Sequence, residues 1–112
     1  MKTQPEQLRD RTKAFALRVI RLFRSLPYKP DTQVLGKQLL RCGTSVAANY
    51  RTVCRSRSKA EFVARMGVVV EEADEAILSL ELLTESGIVS QGKTRDLLAE
   101  ARELAVIFTA SQ

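Results

Sequence analysis

Residues 58–83 decide the fold, and they read SKAEFVARMGVVVEEADEAILSLELL. They open with a capping box, in which the Ser58 hydroxyl accepts a hydrogen bond from the amide of Glu61 and the Glu61 side chain reaches back to the amide of Ser58. Apolar residues then recur at helical spacing over about six turns, at Phe62, Met66, Val69, Ala73, Ala76, Leu80 and Leu83. We therefore predict one long amphipathic helix over residues 59–86, ended by Gly87, a residue suited to the left-handed position after a helix.

Three more amphipathic segments flank this helix and are separated by short breaks. The first ends at Pro27 and Pro30, because proline cannot continue a helix, and the second begins at Asp31, a residue suited to cap a helix. Ser90 takes the same capping position before the last segment. The predicted helices cover residues 5–26, 31–55, 59–86 and 90–111. Breaks this short place successive helices antiparallel, so we predict an all-α fold, a single antiparallel up-down four-helix bundle over residues 1–112.

The composition excludes several function classes. The chain has only 5 Gly and 3 Pro, too few for the turns of a β-sandwich, and it has no histidine, the commonest general base and the usual nitrogen ligand of zinc. Its 2 cysteines, Cys42 and Cys54, are expected to be buried, reduced and apolar in role, because a disulfide framework needs more. No apolar run approaches the about 20 residues of a membrane-spanning helix. We expect a cytoplasmic, non-enzymatic protein without a metal site or a cofactor.

The charges are distributed unevenly along the chain. Residues 1–65 hold 15 Lys and Arg against 4 Asp and Glu, whereas residues 66–112 hold 3 against 9. This basic half is interpreted in two ways, either as a surface that faces nucleic acid or as a partner of the acidic half inside the fold. In the hairpin of the second and third helices, Arg41 is expected to lie level with Asp74 and Glu75, and Lys37 about one turn from Glu81. Internal pairing of this kind does not account for the cluster of cations from Arg51 to Lys59.

That cluster provides the candidate nucleic-acid contacts. It runs from the last turns of the predicted second helix to the start of the third, and helix-one arginines are expected to extend the same surface; the full set is Arg51, Arg55, Arg57, Lys59, Arg18 and Arg21. The only tyrosines are Tyr28 and Tyr50, and Tyr50 falls in the core stripe of its helix. With so few aromatic platforms, we expect contacts to the phosphate backbone of RNA or DNA and little reading of base sequence.

A second apolar edge on the third helix predicts self-association. Val68, Leu78 and Leu82 project among the acidic residues, outside the main apolar stripe. Exposed apolar clusters mark interfaces, and closed cyclic symmetry is the usual outcome of self-association. The alternative function is therefore a structural or protein-interaction module without nucleic-acid binding, which uses its basic edge in subunit contacts.

An ordered set of residues runs from a Q-x-x-R in the second helix to an R-S-x-x-E-F turn into the third, and its members are Gln38, Arg41, Ser45, Val46, Asn49, Arg57, Ser58, Glu61 and Phe62. With this set, residues 38–62 resemble the bacterial four-helix-bundle proteins encoded by intervening sequences in large-subunit ribosomal RNA genes. Many members carry I-A-E-G after the asparagine, where this chain has Tyr50, Arg51, Thr52 and Val53. Whatever that Glu and Gly do in the family is therefore not transferred to this chain.

The resemblance implies a homo-oligomer, most simply a ring of five bundles. It also brings in a relative, the accessory variability determinant of diversity-generating retroelements, a basic pentameric barrel that binds nucleic acid and a reverse transcriptase. From the resemblance we expect a homopentamer that binds RNA or DNA as an accessory protein, with a protein as a further candidate partner.

Overall fold

The computed structural model describes all 112 residues, which form four helices and no strands. The helices are α1 (Gln4–Arg24), α2 (Pro30–Val53), α3 (Lys59–Glu85) and α4 (Gln91–Ser111). The prediction of an all-helical fold is confirmed, and every predicted helix end lies within two residues of the observed one. No helix is both long enough and apolar enough to cross a membrane.

The predicted boundaries of α3 are confirmed, but half of the capping box is wrong. The Ser58 hydroxyl accepts a hydrogen bond from the Glu61 amide at 3.1 Å, and Gly87 has the left-handed φ of 83°. The Glu61 carboxylate does not return to the Ser58 amide. It forms an ion pair with Arg65 one turn ahead, at 2.6 Å, because a guanidinium at i+4 offers a charged donor on the same helix face.

The start of α2 differs from the prediction by one residue. Lys29 is the N-cap and Pro30 the first helical residue, because the fixed φ of proline and its missing N–H both suit the first turn. Asp31, predicted as the cap, lies inside this turn, where its carboxylate accepts a hydrogen bond from the Thr32 amide at 2.8 Å.

The four apolar stripes meet in one core. Its largest fully buried side chains include Phe15, Met66 and Phe108, one from each of three helices. Cys42 is buried as predicted, but the prediction for Cys54 is wrong: it is exposed, because α2 ends at the preceding residue and the chain turns away from the core.

The backbone of each helix lies next to the backbones of two others, which fixes the corners of the bundle. α2 is the neighbour of α1 and α3, and α4 is the neighbour of α3 and, more sparsely, of α1, whereas the backbones of α1 and α3 are not neighbours. Val19 of α1 lies against Gly43 of α2, so closely that a β-carbon at Gly43 would sit 2.9 Å from a Val19 methyl. Along the α1–α4 seam, Arg11 pairs with Glu100 at 2.7 Å. α1 and α3 therefore occupy opposite corners.

Candidate nucleic-acid interface

Ion pairs inside the fold neutralise only a few of the arginines. Arg41 of α2 pairs with Glu75 of α3 at 2.9 Å, as the hairpin register predicted. The predicted proximity of Lys37 to Glu81 leads to no ion pair, because Glu81 turns to the other side of α3 and binds Arg102 of α4 at 3.1 Å. The cations at the end of α2 are not among the paired ones, so internal pairing does not account for them.

Two of these cations, Arg51 and Arg55, line a groove of about 510 Å³ between the first half of α1 and the end of α2. We call it the basic groove, and its lining residues are Lys2, Glu6, Arg9, Asp10, Lys13, Arg51, Cys54 and Arg55. Five cations thus face two carboxylates, a net charge of +3. The net positive charge of this concave surface attracts anions.

One of the two carboxylates in the basic groove is already neutralised. Lys2 donates a hydrogen bond to Asp10, which lowers the pKa of that carboxyl and raises the pKa of the Lys2 ammonium group. Both side chains are exposed to solvent. Four cations without an ion pair remain to act on a ligand, and they are Arg9, Lys13, Arg51 and Arg55.

The end of α2 is held firmly beneath these side chains. The last turn is closed by the Arg55 amide, which donates to the Thr52 carbonyl at 3.1 Å. The same carbonyl accepts a hydrogen bond from the Arg65 guanidinium of α3 at 2.9 Å. One turn earlier, Tyr50 is buried and stacks on Phe108 of α4 at a centroid distance of 5.7 Å. The exposed guanidinium groups of Arg51 and Arg55 therefore extend from a helix end that is held by contacts with α3 and α4.

Aromatic side chains take no part in the basic groove. Burial, followed by the neighbouring Cys54 thiol, raises the pKa of Tyr50 to about 12, so its hydroxyl stays neutral at physiological pH. Tyr28 is exposed but lies in the connection between α1 and α2, at the other end of these helices. The groove therefore offers charge and hydrogen-bond donors but no platform for stacking a base.

The structure divides the six predicted contact residues into three groups. Arg51 and Arg55 are together in the basic groove. Arg57 and Lys59 are exposed on either side of Ser58, at the entry into α3, and do not line the groove. These two follow Arg55 closely in sequence and have no ion pair within the chain.

Arg18 and Arg21 are not beside the other predicted contacts. They line a separate cleft of about 290 Å³ at the α1–α4 seam, together with Lys93 and Asp96. Arg18 precedes Val19, which packs on Gly43 of α2. Gly43 in turn lies about 12 Å along α2 from Arg51, at a rise of about 1.5 Å per residue. The expectation that these two arginines extend the surface around Arg51 is therefore wrong.

The predicted contact residues do not include the three that complete the groove from the α1 side, Lys2, Arg9 and Lys13. A signal for them was present, because the hairpin register that placed Arg41 beside Glu75 also applies to α1 and α2. In an antiparallel hairpin the two ends far from the turn meet, and this rule predicts the first turns of α1 beside the last turn of α2.

The second apolar edge of α3 is exposed as predicted. Val68, Leu78 and Leu82 keep 42%, 51% and 42% of their surface accessible in the single chain. No group of three or more His, Cys, Asp or Glu side chains is placed to hold a metal ion.

The sequence matches the family model described as 23S rRNA-intervening sequence protein over residues 7–110. Among solved structures, the chain is similar to a protein of unknown function from the S23 ribosomal protein family of Bacteroides thetaiotaomicron. The two chains are 27% identical and superpose with a TM-score of 0.84, over 91% of this chain and 94% of the other. Among curated proteins there is no significant match. Because the family model spans nearly its whole length, the chain belongs to the 23S rRNA-intervening sequence protein family.

Proposed function

We propose that this chain is a non-enzymatic, cytoplasmic accessory protein that binds the phosphate backbone of RNA or DNA through its basic groove. The observation that carries the proposal is the convergence of Arg9, Lys13, Arg51 and Arg55, none of which has an ion pair within the chain. Phosphate groups supply the negative partner that these four cations lack within the chain. The family takes its description from an intervening sequence of 23S rRNA, so RNA is the first ligand to test.

The contents of the groove favour backbone contacts over base reading. Arginine and lysine donors bind phosphate oxygens in any sequence, and release of counterions from the nucleic acid drives such binding. No aromatic side chain lines the groove, so stacking adds nothing. We therefore expect affinity that depends strongly on salt and weakly on base sequence.

We also propose that the bundle assembles into a homo-oligomeric ring, a pentamer by analogy with the family resemblance. An antiparallel arrangement of α1 and α2 is supported by two contacts, since Gly36 lies against Phe23 and Gly43 against Val19, so that residue numbers fall along α1 as they rise along α2. The apolar edge formed by Val68, Leu78 and Leu82 supports the assembly, because its exposure has no use in a monomer. A ring repeats the basic groove once per subunit, and several weak phosphate contacts then add through high effective concentration.

A fluorescence-anisotropy titration with labelled RNA and labelled duplex DNA at two salt concentrations tests the proposal, with light-scattering mass measured on the same samples. The variant Arg51→Gln/Arg55→Gln removes two phosphate contacts per groove. Its salt slope on duplex DNA should fall by about 1.8 per groove engaged, at about 0.9 per contact. The matched control is Lys37→Gln/Arg95→Gln, which removes the same charge from exposed, unpaired cations outside the groove.

The matched control and a variant that removes a negative charge from the groove make the result decisive. Glu6→Gln removes the free carboxylate of the groove and should tighten binding. If both double variants weaken binding equally, net charge and not the groove is responsible. If an intact oligomer fails to bind at low salt, the proposal is wrong. Loss of oligomer mass in Arg51→Gln/Arg55→Gln, with no effect on binding, would instead assign the basic edge to subunit contacts.

A further inference from the structure

The outward face of α3 combines exposed apolar residues with unpaired acids. Val68, Leu78 and Leu82 span about 21 Å of helix at about 1.5 Å per residue. Glu71 and Glu85 lie three residues after the first and last of them, on the same side of the helix, and both are exposed without an ion pair. We call these five residues the acidic-apolar face.

The outward face of α1 has the opposite charge and a similar apolar element. Leu17 is 43% exposed, and Arg21 and Arg24 follow it at intervals of four and seven residues, which places all three on one side of the helix. Neither arginine has an ion pair within the chain. We call these three residues the basic-apolar face.

The two faces lie at opposite corners of the bundle. The backbones of α1 and α3 are each next to α2 and α4 but not next to each other, so their outward faces point away from one another. A protomer that presents a surface at one corner and its electrostatic complement at the opposite corner is suited to head-to-tail association, which closes into a ring when the rotation between copies allows it.

We infer that the acidic-apolar face of one copy packs on the basic-apolar face of the next copy, and this inference rests on the proposed ring. A two-fold contact of α3 with α3 is the competing arrangement, but it would place Glu71 and Glu85 close to the same acids of the second copy. Like charges across an interface cost several kcal/mol and select against such pairing. The head-to-tail arrangement instead places the acids of α3 near Arg21 and Arg24.

Apolar burial and charge have different effects in this contact. Leu17 and the apolar residues of α3 supply the area removed from water, while the surrounding charges select the partner surface and its register. Because single exposed ion pairs contribute little, neutralising one charge is a weak test. Reversing two charges replaces attraction by repulsion at every interface of the ring.

The test measures mass by light scattering over a range of concentrations for two charge reversals and their combination. Arg21→Glu/Arg24→Glu and Glu71→Lys/Glu85→Lys should each raise the concentration of half-assembly at least tenfold. The chain that carries all four changes should assemble within about threefold of the wild type, because its faces are complementary again. Lys29→Glu/Lys37→Glu, the same charge change on exposed cations outside both faces, should leave the mass unchanged.

The outcomes separate this inference from the proposed function. If Arg21→Glu/Arg24→Glu assembles like the wild type while Leu78→Asp does not, α3 packs on another surface and the inference is wrong although the ring stands. If the four-fold variant is not rescued while circular dichroism shows it folded, the pairing of these faces is also wrong. A wild type that stays monomeric overturns both the ring and the inference. Binding of a short labelled RNA that fills one basic groove measures the affinity of the groove independently of assembly.

Discussion

The close approach of α1 and α2 at Gly43 leads to a stability prediction that can be worked from distances. A β-carbon at this position would lie 2.9 Å and 3.0 Å from the two methyl carbons of Val19, whereas carbon atoms in ordinary contact are about 3.5–4.0 Å apart. Val19 is fully buried, and its β-branched side chain has essentially one rotamer in a helix. Gly43→Ala therefore forces the two helices apart by several tenths of an ångström.

Two opposing effects set the magnitude. Overpacking a dense core costs about 1–3 kcal/mol, and replacing glycine by alanine inside a helix contributes up to about 1 kcal/mol in the other direction. Gly92→Ala is the matched control, because a β-carbon there would have no neighbour within 4 Å and only the helix-propensity gain remains. The difference between the two variants isolates the steric cost, which we expect to be about 1–3 kcal/mol.

Gly36→Ala refines the comparison. Its β-carbon would approach the end of the Leu26 side chain at 2.8 Å and the edge of the Phe23 ring at 3.1 Å, and both side chains are only partly buried and can shift. Urea unfolding followed by circular dichroism should therefore rank the variants Gly92→Ala, Gly36→Ala and Gly43→Ala in order of decreasing stability. A Gly43→Ala variant within about 0.5 kcal/mol of Gly92→Ala would refute the argument, because it would mean that the α1–α2 contact yields without cost.

Two further predictions concern pH and the α1–α4 seam. Because the pKa of Tyr50 is raised from 10.0 to about 12, the folded protein keeps a proton that the unfolded chain loses, and stability should fall by about 1.4 kcal/mol between pH 9 and pH 11 from this group alone. Tyr50→Phe should remove that part of the loss in urea midpoints, and equal losses in both proteins would contradict the assignment. Glu100→Gln weakens a two-point contact with Arg11, at 2.7 Å and 3.2 Å, and should cost about 1 kcal/mol, or about 4 °C in thermal melting. Glu103→Gln is its control, because Glu103 is 65% exposed and 3.4 Å from the same guanidinium; equal effects of the two would contradict a specific role for Glu100.

The helices could be predicted from the sequence because each is specified locally. The α3 cap at Ser58 and the left-handed Gly87 are properties of a few neighbouring residues, and the apolar spacing between them leaves one face to bury. The errors arose where two local options competed. Glu61 had a charged partner in Arg65 as well as the Ser58 amide, and the pair with the guanidinium formed.

The candidate site was predicted less well because it depends on the register between helices. The end of α2 was identified from its excess of charge, but the α1 partners were chosen by residue type alone, which favoured Arg18 and Arg21 over Arg9 and Lys13. All four are arginine or lysine on the same helix. Both their height along α1, about two turns apart, and the side of the helix decide which pair lies beside the end of α2, because Arg18 and Arg21 border α4 instead.

The division of the arginines into paired and unpaired sets points to a ligand more strongly than the total charge does. Arg11, Arg41 and Arg102 each have a carboxylate from a neighbouring helix, so the fold places acids where it uses a cation for its own stability. In the basic groove the same chain leaves four cations near one another without such acids, and their mutual repulsion opposes folding. An anion that enters the groove relieves this repulsion only in the folded state, so binding and stability are linked there. The proposed ligand, a nucleic-acid backbone, is such an anion, and it supplies phosphates at the repeated spacing that the proposed ring of grooves can use.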